Sequence, residues 1–481
     1  MGLKTHEEYI ESVKRLKPKV YLGAQKVEDI LDNPVTRSVV DATAKVYELS
    51  LNQECADTMT TTSHLTGQTI NRATHVHQSI DDMLTRIEMA RLTSQKLGTC
   101  NYRCPGGECL TPLASITWEM DEKLGTEYNK RFNAFLRHVQ ENDLVCSAAG
   151  TDARGDRSKG PLDQDPDMYL RVVEQKSDGI VVRGAKPHVT GAYAAHEHVV
   201  MSIFARSPEE KDYALAFAVP NEAEGLTYIC QYSPFTAERL LEKDISLLGN
   251  PYGQRETAMV VFDNVFVPWE RVFFCGEVDF VPVVADRFLR VHGTNCSGGC
   301  KTGWIDLIIG ACQLIIEYSG LHPFPHIRDD IIEIIRLQET TRACSIAAAV
   351  TGAEEPAGSG VYIPSHLAQA GKIGGTEGFW EIMKRAGDIA SSLVVTMPSE
   401  KEFKNPETKG YIEKYLKAVA PAQERLRIAK FLQHWVAGLH GVATWHGGIS
   451  PQFHRECLYY SYAGNLEENK KLARDLAGIK Q

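Results

Sequence analysis

Cys100 and Cys104 stand four residues apart, and a second group follows far downstream: His292-Gly-Thr-Asn-Cys296-Ser-Gly-Gly-Cys300-Lys301. Together they offer five soft ligands: Cys100, Cys104, Cys296, Cys300 and His292. Four thiolates, or three with an imidazole, suit an iron–sulfur cluster. Zinc accepts the same ligand types, and cysteines are also common as plain buried residues. The spacing by itself leaves all three readings open. On a helix, positions four apart share a face, so Cys100 and Cys104 are expected to grip one centre. Pro105-Gly106-Gly107 is expected to end that helix. Cys109 reads as a bystander or an outer residue of the centre. Cys55, Cys146, Cys230, Cys275, Cys312, Cys344 and Cys457 read as core residues.

A second chemistry is suggested by Ala149-Gly-Thr-Asp-Ala-Arg-Gly-Asp-Arg157, a loop dense in backbone donors, acids and guanidines. Such a loop suits a pyrophosphate, and it equally suits a plain surface turn. No G-x-G-x-x-G follows a strand, so a Rossmann domain is not supported. Arg183-Gly-Ala-Lys-Pro-His-Val-Thr190 reads as a polar strand edge or a charged hairpin. His75 and His77 read as surface histidines, with a channel lining as the alternative. In His196-Glu197-His198 a strand would put both histidines on one face, but a metal pair there is disfavoured. Trp445-His446-Gly447-Gly448 is a glycine-rich stretch able to approach a cofactor.

The elements that must position these groups form three segments. Residues 1–145 read as helical, with Thr5 and Glu8 as a capping box and apolar stripes at helical spacing. Residues 146–278 carry short β-branched runs between turn residues, expected to build a β-barrel or sandwich. Residues 279–481 return to long helices over 301–319, 327–350, 377–392 and 410–439. The expected class is α+β with a C-terminal helical bundle.

Composition narrows the function. With 43% hydrophobic and 24% charged residues the chain is an ordinary globular protein. A net charge of −10 argues against a nucleic-acid partner. No run of about 18 apolar residues stands out, so no membrane span is expected. The polar start lacks the apolar region of a secretory signal. A reducing cytoplasm is therefore expected, where grouped cysteines are more often ligands or catalytic thiols than disulfides.

Several tracts carry a resemblance. Met59 to Arg72, Gln140-Glu-Asn-Asp-Leu144, Gly179-Ile-Val-Val-Arg-Gly-Ala-Lys186, Val261-Phe-Asp-Asn-Val-Phe-Val-Pro-Trp-Glu-Arg271, Val395-Thr-Met-Pro-Ser399 and the closing Leu476 to Lys480 resemble the 4-hydroxyphenylacetate 3-hydroxylase superfamily. The cysteines resemble its 4-hydroxybutyryl-CoA dehydratase branch. The resemblance spans essentially the whole chain. It implies an acyl-CoA dehydrogenase-like fold: helical N-terminal domain, middle β-barrel and C-terminal helical bundle. It also implies a homotetramer, bound FAD, a [4Fe–4S] cluster and an acyl-CoA-type substrate. By the same resemblance Cys100, Cys104 and Cys300 fall on the cysteine ligands, and His292 is the fourth. Thr151, Asp152, Arg154, Gly155, Asp156, Arg157, His188 and Thr190 fall on flavin-contacting segments. His292, Lys301 and Glu256 fall on catalytic positions.

This sequence departs from the family pattern at defined places. The interval from His292 to Cys300 is one residue longer, and Cys296 lies within it as a rival ligand. Ser297 stands where the family has a Tyr three residues before the last cysteine. No Glu stands just before Ala443-Thr-Trp-His-Gly447. Glu256 has one residue added between it and Val261. The reaction the branch implies removes a non-acidic β-hydrogen and a γ-hydroxyl, which simple acid–base catalysis does not reach at neutral pH. A one-electron flavin step with a Lewis-acidic iron is the implied answer. A dehydratase paralogue acting on another activated acid, a flavin-dependent aromatic monooxygenase and a zinc-stapled non-catalytic homologue are the alternatives.

Overall fold

The computed structural model describes residues 2–205, 207–242, 249–438, 440–442 and 450–479. Thr5 caps the helix His6–Arg15 through the expected capping box: its hydroxyl accepts from Glu8 N, and the Glu8 carboxylate accepts from Thr5 N. Long helices Pro34–Leu51, Ile80–Leu97, Cys104–Leu124 and Tyr128–Glu141 follow. The first segment is not wholly helical. Val20–Leu22 and Gln25–Val27 form a hairpin, and Thr60–Thr62 pairs with Thr69–Asn71.

The strand-rich middle forms two open mixed sheets, and among the described residues no closed barrel is present. One sheet runs Gln25–Val27, Val20–Leu22, Leu226–Cys230, Thr257–Pro268, Gly179–Thr190, Arg171–Gln175. The other runs Val272–Cys275, Leu215–Pro220, Glu197–Met201, Cys146–Ala149. The expected barrel fails because the end strands meet other elements instead of each other. The 20–27 hairpin extends one edge, pairing parallel to Leu226–Cys230. The helix Tyr128–Glu141 covers another, with Phe132 and Phe135 packing on Phe273 at ring separations of 5.4 and 5.3 Å. Between the sheets, Phe217 meets Phe262 edge to face at 6.1 Å.

A hydrogen-bonded pair also ties the sheets together. Tyr228 donates to Asn221 O, so His198 Nε2–H donates to Tyr228 at 2.7 Å, and His198 Nδ1 accepts from Ser147 at 2.6 Å. His196 accepts from Val145 N and meets Ser12, while Glu197 pairs with Arg271. The three residues thus have separate partners and do not form a metal pair. His77, His196 and His198 are each buried and held down to about 3 by that burial. Their folded values lie below the unfolded imidazole value, so on acidification the unfolded chain takes up protons that the folded chain refuses. Each therefore removes about 1.4 kcal/mol of stability per pH unit as pH falls below about 6.5. Denaturant midpoints measured from pH 7 to 5 should fall steeply, and a His198→Asn variant should show a shallower fall. Equal slopes would contradict this.

The C-terminal segment holds Thr302–Ser319, Pro325–Val350, Leu367–Ala390, Ala422–Val436, Pro451–Ser461 and Ala463–Ala477. The expected helix 410–439 is interrupted: Lys409–Tyr415 and Ala422–Val436 are separate, with Pro421 capping the second. The helical run 278–319 is long and apolar enough to cross a membrane by length and composition, yet 67% of its apolar window is buried inside the protein. It is the central strut of the site. Asp306 on it receives both Arg91 nitrogens at 2.8 Å and also Gln95 and Gln338. Gly299 lets the strut touch the helix Ile80–Leu97: a Cβ there would come within 2.5 Å of Ala90 Cβ.

Candidate cofactor and active site

The two cysteine groups, far apart in sequence, meet at this strut. Cys100 and Cys104 do not share a helix face as expected. Gly98 closes the helix Ile80–Leu97 in the left-handed conformation, so Cys100 lies in the connecting loop. Cys104 opens the next helix, with Pro105 at its first turn, where a missing N–H costs nothing. Pro105-Gly106-Gly107 therefore starts a helix where it was expected to end one. Gly106 is required by packing, because a Cβ there would sit 2.0 Å from Cys146 O. The Asn101 side chain ties the turn together: its Oδ1 accepts from Arg103 N and Cys104 N, and its Nδ2 donates to Cys104 Sγ at 3.0 Å.

The second group lies at the end of the helix Val281–Asn295 and in a π-helical turn, Cys296–Lys301, which runs on into Thr302–Ser319. In a pure α-helix, eight residues would rotate Cys300 about 80° away from His292. The wider i to i+5 turn takes up roughly that difference. The residue that lengthens the His292–Cys300 interval is thus absorbed locally, and His292, Cys296 and Cys300 share one face.

All of these side chains are enclosed: Cys100, Cys296 and Cys300 are 8% exposed and Cys104 is 3% exposed. Burial pushes the Cys100 thiol up to about 12. The hydrogen bond between Cys104 and Cys300 holds Cys104 below its usual value and Cys300 well above it. Burial pushes Cys296 up too, but Lys372, His292 and Lys301 outweigh it and hold it low. Lys372 Nζ donates to Cys296 Sγ at 3.3 Å. His292 Nδ1 meets Glu108 Oε2 at 2.5 Å, and the ring stacks on Phe288. Burial would lower the imidazole, yet Glu108 and Cys296 hold it up at about 9. Lys301 is fully buried and donates to Gly375 O at 2.8 Å. Burial and the nearby Lys372 push it well down.

Glu256 lies apart from the thiols. Its carboxylate accepts from Gln254 and Gln231 at 3.1 and 3.0 Å, and Arg239 approaches to 3.5 Å. Burial raises it to about 7. Tyr102, two residues past Cys100, links the two regions by accepting from Glu256 N at 3.1 Å.

Among the described residues no three His, Cys, Asp or Glu side chains converge on a point that would hold one metal ion. A four-iron cluster takes one ligand at each corner. Buried thiols linked in turn, Cys100 to Cys104, Cys104 to Cys300 and Cys300 to Cys296, with an imidazole backed by a carboxylate, fit that donor set.

The flavin segments meet at an open sheet edge. Strand Gly179–Thr190 is paired on both sides up to Arg183, but from Gly184 to Thr190 it pairs only with Thr257–Phe262. Lys186 there is buried and bonds Asp152 at 2.8 Å and Gly150 O at 3.0 Å, which anchors the loop. Thr151 is half-buried, and Gly155, Asp156, Arg157 and His188 are exposed beside it. Arg154 lies 4.6 Å over the Phe204 ring. Burial, then Arg255, Arg154 and Arg157, push His188 down, so these cations crowd one place. Arg154 Nε and Arg255 Nε are buried with no hydrogen-bond partner among the described residues. A row of cations with unused donors fits a pyrophosphate. Arg255 also acts on Cys100 and Lys301, so the row runs on to the thiols.

Glu108, Lys372, Arg255 and Arg86, whose charge acts on Cys104, were not anticipated from the sequence. Glu108 had a signal: it is four residues after Cys104 on one helix. His75 and His77 are buried, not surface residues. His75 Nε2 meets Asp82 at 3.1 Å. The 445–448 stretch lies outside the described residues.

Sequence profiles for the 4-hydroxyphenylacetate 3-hydroxylase N-terminal and C-terminal regions match residues 5–274 and 283–478. The chain belongs to the 4-hydroxyphenylacetate 3-hydroxylase family. Within this family it is 41% identical to 4-hydroxybutyryl-CoA dehydratase/vinylacetyl-CoA-Δ-isomerase of Clostridium aminobutyricum, over 99% of this chain and 100% of the relative. A solved structure of an oxygen-tolerant archaeal 4-hydroxybutyryl-CoA dehydratase from N. maritimus superposes with a TM-score of 0.95 at 37% identity, covering 100% of this chain and 96% of that one. The oxygenase component of 4-hydroxyphenylacetate 3-monooxygenase, solved with FAD, shares the fold with a TM-score of 0.86 at 24% identity, over 99% of this chain and 100% of that one. This member of the 4-hydroxyphenylacetate 3-hydroxylase family is an enzyme, a lyase of the dehydratase branch.

Proposed function

We propose that this enzyme is an FAD- and [4Fe–4S]-dependent dehydratase with isomerase capacity, acting on a 4-hydroxyacyl-CoA-type substrate. The observation that supports the reading is that Cys104 bonds Cys300 with Cys100 acting beside Cys104, while His292 is held between Glu108 and Cys296 on the same helical strut. Cys100, Cys104, Cys300 and His292 would hold the cluster. Thr151, Asp152, Arg154, Gly155, Asp156, Arg157, His188 and Thr190 would hold the flavin, with Arg255 between the two. When bound, the flavin supplies one-electron chemistry and the cluster a Lewis-acidic iron for a hydroxyl group.

The chain's own residues set the conditions for that chemistry. Enclosure of the thiols excludes water. Glu108 would hold the His292 ring through Nδ1 while Cys296 bonds the same ring, so the imidazole would be oriented from two sides to bind iron or hold a proton. Lys372 would offset thiolate charge through its bond to Cys296. Glu256, raised to about 7, can hold or release a proton near neutral pH. Segments 1–145, 146–278 and 279–481 would act as the three parts of one subunit. Exposed Tyr459, Tyr460, Leu472 and Leu476 on the C-terminal helices support assembly as a homotetramer.

Anaerobically purified protein should contain FAD and about four irons per chain, with visible spectra of both. Flavin without iron would point to oxygenase-type chemistry and overturn the reading; zinc without iron would overturn it equally. Arg255→Ala should weaken FAD retention about 10- to 100-fold, the range of one charge-assisted contact, as read by flavin release on dilution. Unchanged retention would remove Arg255 from the flavin site.

A further inference from the structure

The helix Pro451–Ser461 places one polar side chain into the site that no role above uses. His454 is fully buried, and its Nδ1 meets Gln369 Oε1 at 2.5 Å. An amide oxygen only accepts, so Nδ1 carries the proton and Nε2 presents a bare lone pair. Nε2 has no partner among the described residues, and neither has Gln369 Nε2 of the same pair. Both residues are fully buried, and such atoms are costly unless something meets them. The surroundings are one-sided: Lys372, His292 and Lys301 are the charged groups acting on His454. Lysine and amide nitrogens there donate, while His454 Nε2 accepts.

A single acceptor among donors selects for ligand chemistry. A thioester carbonyl or a carboxylate brings only acceptors and leaves Nε2 unmet. An alcohol meets both sides, giving its O–H to Nε2 and taking a donor on its oxygen. We propose that the Gln369–His454 pair is a specificity device that holds the hydroxyl group of the acyl chain, with His454 Nε2 as the acceptor. This rests on the 4-hydroxyacyl-CoA reading and names the residue that reads the hydroxyl. A site built to bond a hydroxyl discriminates against the analogue lacking it.

The test uses the anaerobically purified holoenzyme, comparing KM for 4-hydroxybutyryl-CoA with the inhibition constant of butyryl-CoA, which lacks the hydroxyl. In His454→Phe, KM should rise about tenfold, the effect of one hydrogen bond, while butyryl-CoA should inhibit as in the wild type. Intact butyryl-CoA inhibition also reports that the variant is folded. Gln369→Met, which unlocks the ring, should shift the same ratio in the same direction. Unchanged discrimination in both variants would overturn the proposal and would mean that the pair meets only water. Equal loss of both ligands in both variants would overturn it too, because butyryl-CoA has nothing to give His454. If the wild type neither turns over the hydroxy ester nor is inhibited by butyryl-CoA, the substrate reading itself fails, which is a separate result.

Discussion

Replacing Cys300 by alanine is expected to strip the iron from the protein while leaving the fold intact. Cys300 is the residue through which the two cysteine groups touch, by its hydrogen bond with Cys104. Removing one small buried thiol typically costs stability on the order of 1 kcal/mol, too little to unfold a chain of this size. The loss of a corner ligand is a different matter. Iron should fall from about four per chain to a small fraction, and turnover should drop on the order of 10³-fold, as expected when several kcal/mol of Lewis-acid stabilisation disappears. Cys312→Ala provides the control. Cys312 is buried on the same helical run, but Asp330 is the charged group acting on its thiol and no other cysteine is. It should keep its iron. Full iron in Cys300→Ala, or equal loss in both variants, would contradict the ligand assignment.

Glu108→Ala is expected to have the second largest effect, without touching a ligand. Glu108 is 2% exposed and its carboxylate is the partner that orients His292 through Nδ1. Without it, the ring can rotate or change tautomer, and Nε2 loses its fixed direction. Carboxylates that back a metal-bound histidine typically matter 10- to 100-fold in metal affinity or activity. Iron retention during anaerobic dialysis against a chelator should fall by that order, while FAD content stays at the wild-type level. Glu108→Gln, which keeps an acceptor but not the charge, should lie between. Wild-type iron retention in Glu108→Ala would show that His292 is not held as described.

The chemistry of the site was more legible in the sequence than its geometry. The α+β class, the family resemblance and the cysteine and histidine types could all be read directly. The placement of Cys100 and Cys104 could not, because Gly98 and Pro105 act as a stop and a start within seven residues, and local spacing alone suggests one helix. The π-turn was also hidden. It absorbs the residue that lengthens the His292–Cys300 interval, and it packs against a distant helix, with Gly299 close to Ala90. The barrel expectation failed for the same kind of reason: Val20–Leu22 joins Leu226–Cys230, and such pairing has no local signature. Lys372 lies ahead of the expected helix 377–392 and had no signal of its own; the helix in fact begins at Leu367. Only the packing of the glycine-rich helix Leu367–Ala390 against the strut makes it a buried partner of Cys296. His75 and His77 looked solvated until Asp82 and the neighbouring helices enclosed them.

The most direct measurement is mass spectrometry of the CoA ester recovered after anaerobic incubation of the holoenzyme with 4-hydroxybutyryl-CoA. The account predicts a product lighter by one water, formed by the wild type and not by Cys300→Ala. A fully loaded wild type that returns the ester unchanged would contradict it.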